Sequence, residues 1–292
     1  MSVLMVAAIQ AESRAGNFDE KWQGVDVAHA LELLQEAAEK GANLACFPEL
    51  YPLVGEKELC AKARELGVYV IAGLAEGSRN RWKNTSAIIS PKGEILGRQT
   101  KNYPTAIELD NGVVPGDDFK VFDTEAGRFG IVICADFAFF SDGVDHHRRE
   151  RADIIFNPAV WFAIAESYPH VVAGRHLEYS VPILGINVAR PAKMRSDSAF
   201  PPAGGHTTVC IPPRVTSMEG LWEWFRTKPG GIDSIGDFIH TLGQEEEVFL
   251  VEIDIDAVRS FPGYFSSRTT ERAERTEELT HEAAKVASYA AG

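Results

Sequence analysis

Short apolar runs rich in β-branched residues alternate along this chain with longer stretches whose apolar positions recur at helical spacing. Residues 3–10 read as a buried strand. Residues 18–40 carry Val27, Ala30, Leu31, Leu34 and Ala38 at helical intervals and stop at Gly41, so one helix is expected there. Residues 42–47 form a second strand, 57–66 a short helix ending at Gly67, and 68–75 a third strand. Two hairpins follow: 84–90 with 94–99 around Pro91-Lys92-Gly93, and 119–124 with 128–133 around Glu125-Ala126-Gly127. Alternation then resumes, with a helix at 142–151, a strand at 154–157, a helix at 170–179, and strands at 181–187, 207–211 and 248–253. This order suits mixed sheets covered by helices.

Two stretches break the pattern. Residues 212–240 are rich in Gly, Pro and aromatics, including Trp222, Trp224 and Phe225, and read as a long loop or insertion between strands. Residues 266–292 are charged and Ala-rich, and read as a helical tail starting near Thr270 that packs on the body or on a partner subunit. No linker interrupts residues 1–265 and no internal repeat is visible, so they are expected to form one domain.

The chain has 292 residues, 45% of them hydrophobic, which is enough for a large core. Its net charge of −13 repels phosphate backbones and argues against nucleic acid as a partner. No apolar run is long enough to span a bilayer, and the apolar N-terminus lacks the basic start and cleavage site of a signal peptide. Cys46, Cys60, Cys134 and Cys210 are scattered and include no CxxC pair, so free thiols in a reducing, cytoplasmic setting are expected.

Three segments each bring a reactive group to a strand end. In Cys46-Phe-Pro-Glu49-Leu50 a proline stops the strand and a carboxylate follows. A carboxylate there is costly unless paired or put to work. Lys101 closes Gly97-Arg-Gln-Thr-Lys101. Cys134 ends the apolar run Gly130-Ile-Val-Ile-Cys134 and precedes Ala135 and Asp136. Each alone has an ordinary reading: a helix cap or salt-bridge partner, a solvated lysine, a small buried hydrophobe.

Together, FPEL at 47–50, the lysine segment at 97–103 and GIVICAD at 130–136 resemble the nitrilase (carbon–nitrogen hydrolase) superfamily. Residues 151–161, Gly174-Arg175, Glu178, Gly185-Ile-Asn187 and Gly205-His206-Thr207 extend the resemblance over most of the chain. It implies a four-layer αββα sandwich with two mixed β-sheets, at least a homodimer, and hydrolysis of a non-peptide C–N bond without a cofactor or metal. It also implies roles: Cys134 as nucleophile, Glu49 as general base, and Lys101 stabilising the tetrahedral intermediate with the backbone N–H after Cys134. Glu108, seven residues past Lys101, is the candidate for the second glutamate that relatives often carry. Ala135, Phe137 and Trp161 are expected to line the substrate pocket, with Phe139 beside them.

Cys134-Ala135-Asp136 matches the Cys-x-Asp pattern of amidases and carbamoylases, whereas nitrilases typically place Trp-Glu after the cysteine. An amide or N-carbamoyl amine is therefore favoured over a nitrile. A non-catalytic binding subunit is the reading from another class, and the intact Glu49, Lys101 and Cys134 argue against it. The chain departs from the family in a short connection after Glu49, so the Trp-rich stretch at 212–240 is expected to cover the pocket instead. Asp136 is expected to order the turn after Cys134, Arg175 and Glu178 to form an ion pair, and His146 and His147 to be solvated.

Overall fold

Alternation along the first strand decides how the layers stack. In β1 (Val3–Gln10), Leu4, Val6 and Ala8 face one core while Ala7 and Ile9 face another. A computed structural model describes residues 3–161, 165–190, 204–227 and 238–264. After β1 come α1 (Phe18–Trp22), α2 (Val27–Glu39), β2 (Leu44–Cys46), β3 (Pro52–Leu53), α3 (Glu56–Leu66), β4 (Tyr69–Ser78), β5 (Arg81–Ile89), β6 (Ile95–Thr100) and α4 (Ala106–Asp110). The second half holds β7 (Val121–Thr124), β8 (Gly127–Ile131), α5 (Ala135–Ala138), α6 (Asp142–Arg149), β9 (Ile154–Ala159), α7 (Tyr168–Tyr179) and β10 (Ile183–Asn187). It ends with β11 (Thr208–Cys210), α8 (Met218–Thr227), β12 (Ile239–Thr241), β13 (Glu247–Asp254) and α9 (Ile255–Ser260).

Two mixed sheets result. The first runs β13-β1-β2-β4-β5-β6, with β3 beside β4; the second runs β12-β11-β10-β9-β8-β7. Leu4, Val6, Ala8, Leu44, Ile71 and Ile88 of the first sheet meet Phe129, Ile131, Ile154, Phe156 and Leu184 of the second in one continuous core. The other face of the first sheet, through Ala7, Ile9, Ala45, Val70 and Ala72, packs on Ala30, Leu33, Leu34 and Ala37 of α2 and on Leu59 and Ala63 of α3. Helices α6 and α7 cover the far face of the second sheet. At Gly130 an added Cβ would lie 2.6 Å from the His147 ring, so glycine there sets how closely α6 approaches. The architecture is the expected four-layer αββα sandwich.

Several expectations shift. The single helix over 18–40 is two helices. Gly24 takes a positive φ of 81°, and the Asp26 carboxylate accepts from Ser13 Oγ, Arg14 N–H, Ala15 N–H and Lys21 Nζ instead of letting the helix run through. The stretch at 212–240 is not a plain loop. It contains α8, whose Leu221 packs with Phe238, Phe261 and Tyr264. His147 is not solvated: it is fully buried, donates from Nε2 to Ile131 O at 3.1 Å, and burial holds its pKa down at about 4. The expected ion pair of Arg175 with Glu178 forms at 3.2 Å. Residues 266–292 lie outside the described residues. Among the described residues no helix is long and apolar enough to cross a membrane.

Candidate active site

Strand ends from both sheets converge at one end of the space between them. On the first sheet, Phe47 N–H donates to Ile71 O and prolongs the pairing of β2 with β4, before Pro48 stops it and Glu49 turns inward. The turn passes tightly over β4: a Cβ on Gly73 would sit 2.4 Å from Leu50 N and 2.8 Å from Pro48 O. Leu50 itself takes a φ of 56°, a conformation that costs a non-glycine residue energy and persists only where the surroundings enforce it.

Lys101 follows β6 directly and stays in register with β5, because its N–H donates to Asn84 O at 2.9 Å. Lys101 and Asn84 are thus cross-strand neighbours with side chains on one face. Lys101 Nζ donates to Glu49 Oε1 at 2.8 Å and to Glu108 Oε2 at 2.7 Å. Asn84 Nδ2 donates to the same two carboxylates, at 2.7 Å and 2.9 Å. Glu108 lies at the third position of α4 in a reciprocal cap: Thr105 N–H donates to Glu108 Oε2 at 2.8 Å, and Thr105 Oγ1 accepts from Glu108 N–H.

The second sheet brings the sulfur. Val132 N–H donates to Phe156 O and Cys134 N–H to Pro158 O, so the β8–β9 pairing continues up to the cysteine. Cys134 then adopts φ 45°, ψ −106°, a strained bend that starts α5 and turns the side chain toward Glu49. Two residues past Pro158, Val160 N–H donates to Glu49 Oε2 at 2.9 Å. Glu49 is therefore held from both sheets at once.

Electrostatics bind these groups into a unit. Lys101 and Glu49 are each only 2% exposed. Burial opposes the Lys101 charge, but Glu49, Cys134 and Glu108 together override it and raise its pKa above the ordinary lysine range. Burial also works against the Glu108 carboxylate, yet Lys101, Thr105 and Asn84 bring its pKa down. The Cys134 thiol is pushed up by burial first and by Glu49, its hydrogen-bond partner, second; Lys101 and the Val160 N–H pull the other way and do not prevail. The resting sulfur is therefore a thiol beside a carboxylate.

Other expected residues take different places. Ala135 lines an open cleft of about 480 Å³ together with Asn102, which follows Lys101, and Thr105, which caps the helix of Glu108. Phe137 does not: it is fully buried in the core between the sheets, and Phe139 and Phe140 line the cleft in its stead. Trp161 stacks on Phe139 at 5.7 Å and tilts against Tyr168, with its backbone N–H on Asn187 Oδ1. Asp136 does more than order its own turn. It reaches across to the lysine segment and accepts from Asn102 N–H and Tyr103 N–H, each at 2.8 Å. None of the described residues of 212–240 lines this cleft. Asn84, Thr105 and Val160 were absent from the sequence-based candidates. The Thr105-Ala-Ile-Glu108 spacing is a capping-box signature and could have marked α4. All four cysteines are free, with Cys46 and Cys210 buried away from the cleft lining. Among the described residues no group of three or more His, Cys, Asp or Glu could hold a metal ion.

A family model for carbon–nitrogen hydrolases matches residues 5–262. The chain belongs to the carbon–nitrogen hydrolase family. Among the relatives of this family member, the omega-amidase NIT2 of Xenopus tropicalis is 26% identical over 255 residues, covering 78% of this chain and 82% of that protein. A mutant amidase from Nesterenkonia sp. AN1, solved with the acetamide moiety of fluoroacetamide added covalently at its active-site cysteine, superposes with a TM-score of 0.70 at 16% identity, covering 94% of this chain and 96% of that one. Saccharomyces cerevisiae Nit3, a member of branch 10 of the nitrilase superfamily, gives 0.69 at 18% identity, with 89% and 93% covered. At those identities the two structures establish a shared fold: this carbon–nitrogen hydrolase has the nitrilase-type sandwich.

Proposed function

We propose that this chain is an amidase that cleaves the C–N bond of a small amide through a thioester on Cys134. The observation that carries the reading is the placement of Cys134, a strained and buried thiol, against a carboxylate that Lys101, Asn84 and Val160 N–H already hold in position. A thiol whose pKa is raised cannot supply thiolate in advance, so a base must take its proton as the bond forms. Glu49 is that base. The sulfur attacks the carbonyl carbon, and its proton passes to Glu49. The oxyanion that develops is met by Lys101 Nζ and the Ala135 N–H. Glu49 returns the proton to the departing nitrogen, the C–N bond breaks, and amine leaves. Water then enters, loses a proton to Glu49 and attacks the thioester; its collapse returns the proton to sulfur and releases the acid. Glu108 keeps Lys101 charged and aimed.

The omega-amidase names among the sequence relatives support amide over nitrile, as does the Cys-Ala-Asp segment. Ammonia release from paired amides and nitriles, with mass spectrometry of the intact chain for an acyl adduct on Cys134, tests the reading. Turnover of a nitrile without its amide would overturn it.

A further inference from the structure

The cleft lined by the residues that follow Cys134 and Lys101 carries information about the substrate. Three of its walls connect directly to reactive groups: Ala135 follows Cys134, Asn102 follows Lys101, and Thr105 caps the helix that bears Glu108. Most of the polar side-chain atoms among them are already engaged, Asn102 Oδ1 excepted, which is buried without a hydrogen-bond partner. Asn102 Nδ2 donates to Asp118 O at 2.9 Å and Thr105 Oγ1 to Glu108 Oε2 at 2.9 Å.

The remaining wall is aromatic and aliphatic. Tyr103 and Phe140 stack at 3.9 Å with their planes 22° apart. Phe139 lies nearly parallel to Trp161, at 25°, and is 69% exposed. Leu109 closes the same wall. No described lining residue bears a formal charge. The charges just behind the lining are of both signs and all paired: Asp142 accepts from Tyr103 Oη at 2.5 Å, Asp136 holds the Asn102 and Tyr103 N–H groups, Lys101 is shared between two carboxylates, and Arg175 donates to Phe140 O at 3.1 Å and pairs with Glu178 at 3.2 Å. An anionic acyl group entering here would lose hydration and meet no free cation among the described residues. A flat apolar group would meet two stacked ring pairs, and rings bind rings in offset or edge contacts.

We infer that the amide cleaved at this site carries an uncharged apolar acyl group, aryl or arylalkyl in character, seated against Phe139 and Phe140. The inference rests on the amidase reading of Cys134 and extends it to substrate class. It separates this chain from an enzyme for the mono-amide of a dicarboxylic acid, which would need a cation at the far end of the cleft.

The test compares phenylacetamide, acetamide and succinamate as substrates of the full chain, with kcat/KM read from ammonia release. Phenylacetamide should exceed each of the other two by at least about tenfold, the discrimination a few buried apolar groups supply. Phe139→Ala should cut the phenylacetamide-to-acetamide ratio at least about fivefold; the exposed position keeps the fold intact, with circular dichroism as the check. A preference for succinamate or acetamide, or an unchanged ratio in F139A, overturns the inference and leaves the amidase reading standing. Absence of ammonia from all three, with no adduct on Cys134, overturns both.

Discussion

Taken from one edge, the first sheet pairs antiparallel, parallel, parallel, antiparallel, antiparallel through β13-β1-β2-β4-β5-β6, and the second repeats that order through β7-β8-β9-β10-β11-β12. β2 therefore corresponds to β9, and β1 to β8. The corresponding ends of β2 and β9 meet, because Glu49 follows one and the Val160 N–H that binds it follows the other. The ends of β1 and β8 diverge in use. β8 leads to the strained Cys134, whereas β1 ends in Gln10, whose Oε1 accepts Thr207 N–H and whose Nε2 donates to Gly243 O and Glu245 O. One position carries the sulfur and its counterpart ties the sheets together. The three charged groups around the sulfur, Glu49, Lys101 and Glu108, all come from the first sheet and its following loop. Buried charges must be compensated locally, which adjacent strands β5 and β6 can do. A neutral thiol has no such need and can arrive from across the interface.

The sharpest way to break this division of labour is to remove the sulfur alone. Cys134→Ala leaves the charged trio untouched, so kcat should fall at least about 10⁴-fold while stability shifts by about 1 kcal/mol or less. Steady-state kinetics beside a urea titration would show it, and substantial residual turnover would shift the chemistry away from the second sheet. The charged side should respond differently. Lys101→Met leaves Glu49 and Glu108 facing each other in a buried space, where loss of one ionic partner costs about 3–5 kcal/mol. Stability and activity should fall together. Adding Glu108→Gln should restore part of the stability and none of the activity, a non-additivity that a double-mutant cycle would measure.

Much of this could be read in the sequence, and the misses have physical causes. The strand-end positions of Glu49 and Cys134 follow from apolar runs that stop abruptly. Asn84 escaped because of register. Counted back from the Pro91-Lys92-Gly93 turn, where Ile89 pairs with Ile95, residue 84 would face 100; the irregularity between Ile88 and Ile89 moves the partner to 101 and puts Asn84 on the same face as Lys101. Phe137 was misplaced because α5 is a single short turn: one step of helix carries 137 into the core and 139 into solvent. His147 looked solvated because its helix is polar, and only Gly130 opposite leaves room for its ring. The two-fold repeat of strand order left no trace because equivalent strands carry unlike residues.

A test that moves the acid without changing its charge separates position from electrostatics. Gly73→Ala places a Cβ against the Leu50 and Pro48 backbone, which cannot give way as a side-chain tip would. The Glu49 turn must lift, and displacements of this kind cost up to about 10²-fold in rate. The fall should be in kcat more than in KM, with about 1–3 kcal/mol lost from stability. Full activity in G73A would mean that Glu49 tolerates movement and that the Val160 tie from the second sheet alone suffices.

The smallest expected effect lies in the one carboxylate the second sheet contributes to the crossing. Asp136 is raised to about 6, chiefly by burial, against the pull of the Asn102 and Tyr103 N–H groups. In the unfolded chain it titrates near 4. Between those values the native state holds a proton that the unfolded state has released, so stability falls as pH rises from about 4 to about 6 and is flat above. Urea unfolding across that range, wild type against Asp136→Asn, isolates the group: the difference in stability should shrink or reverse by about 3 kcal/mol as pH rises, whatever offset the lost acceptor introduces. The same carboxylate joins the cysteine turn to the lysine segment, so kcat of D136N should fall modestly at every pH. A pH-independent stability difference would mean that burial does not raise the Asp136 carboxyl in the native state.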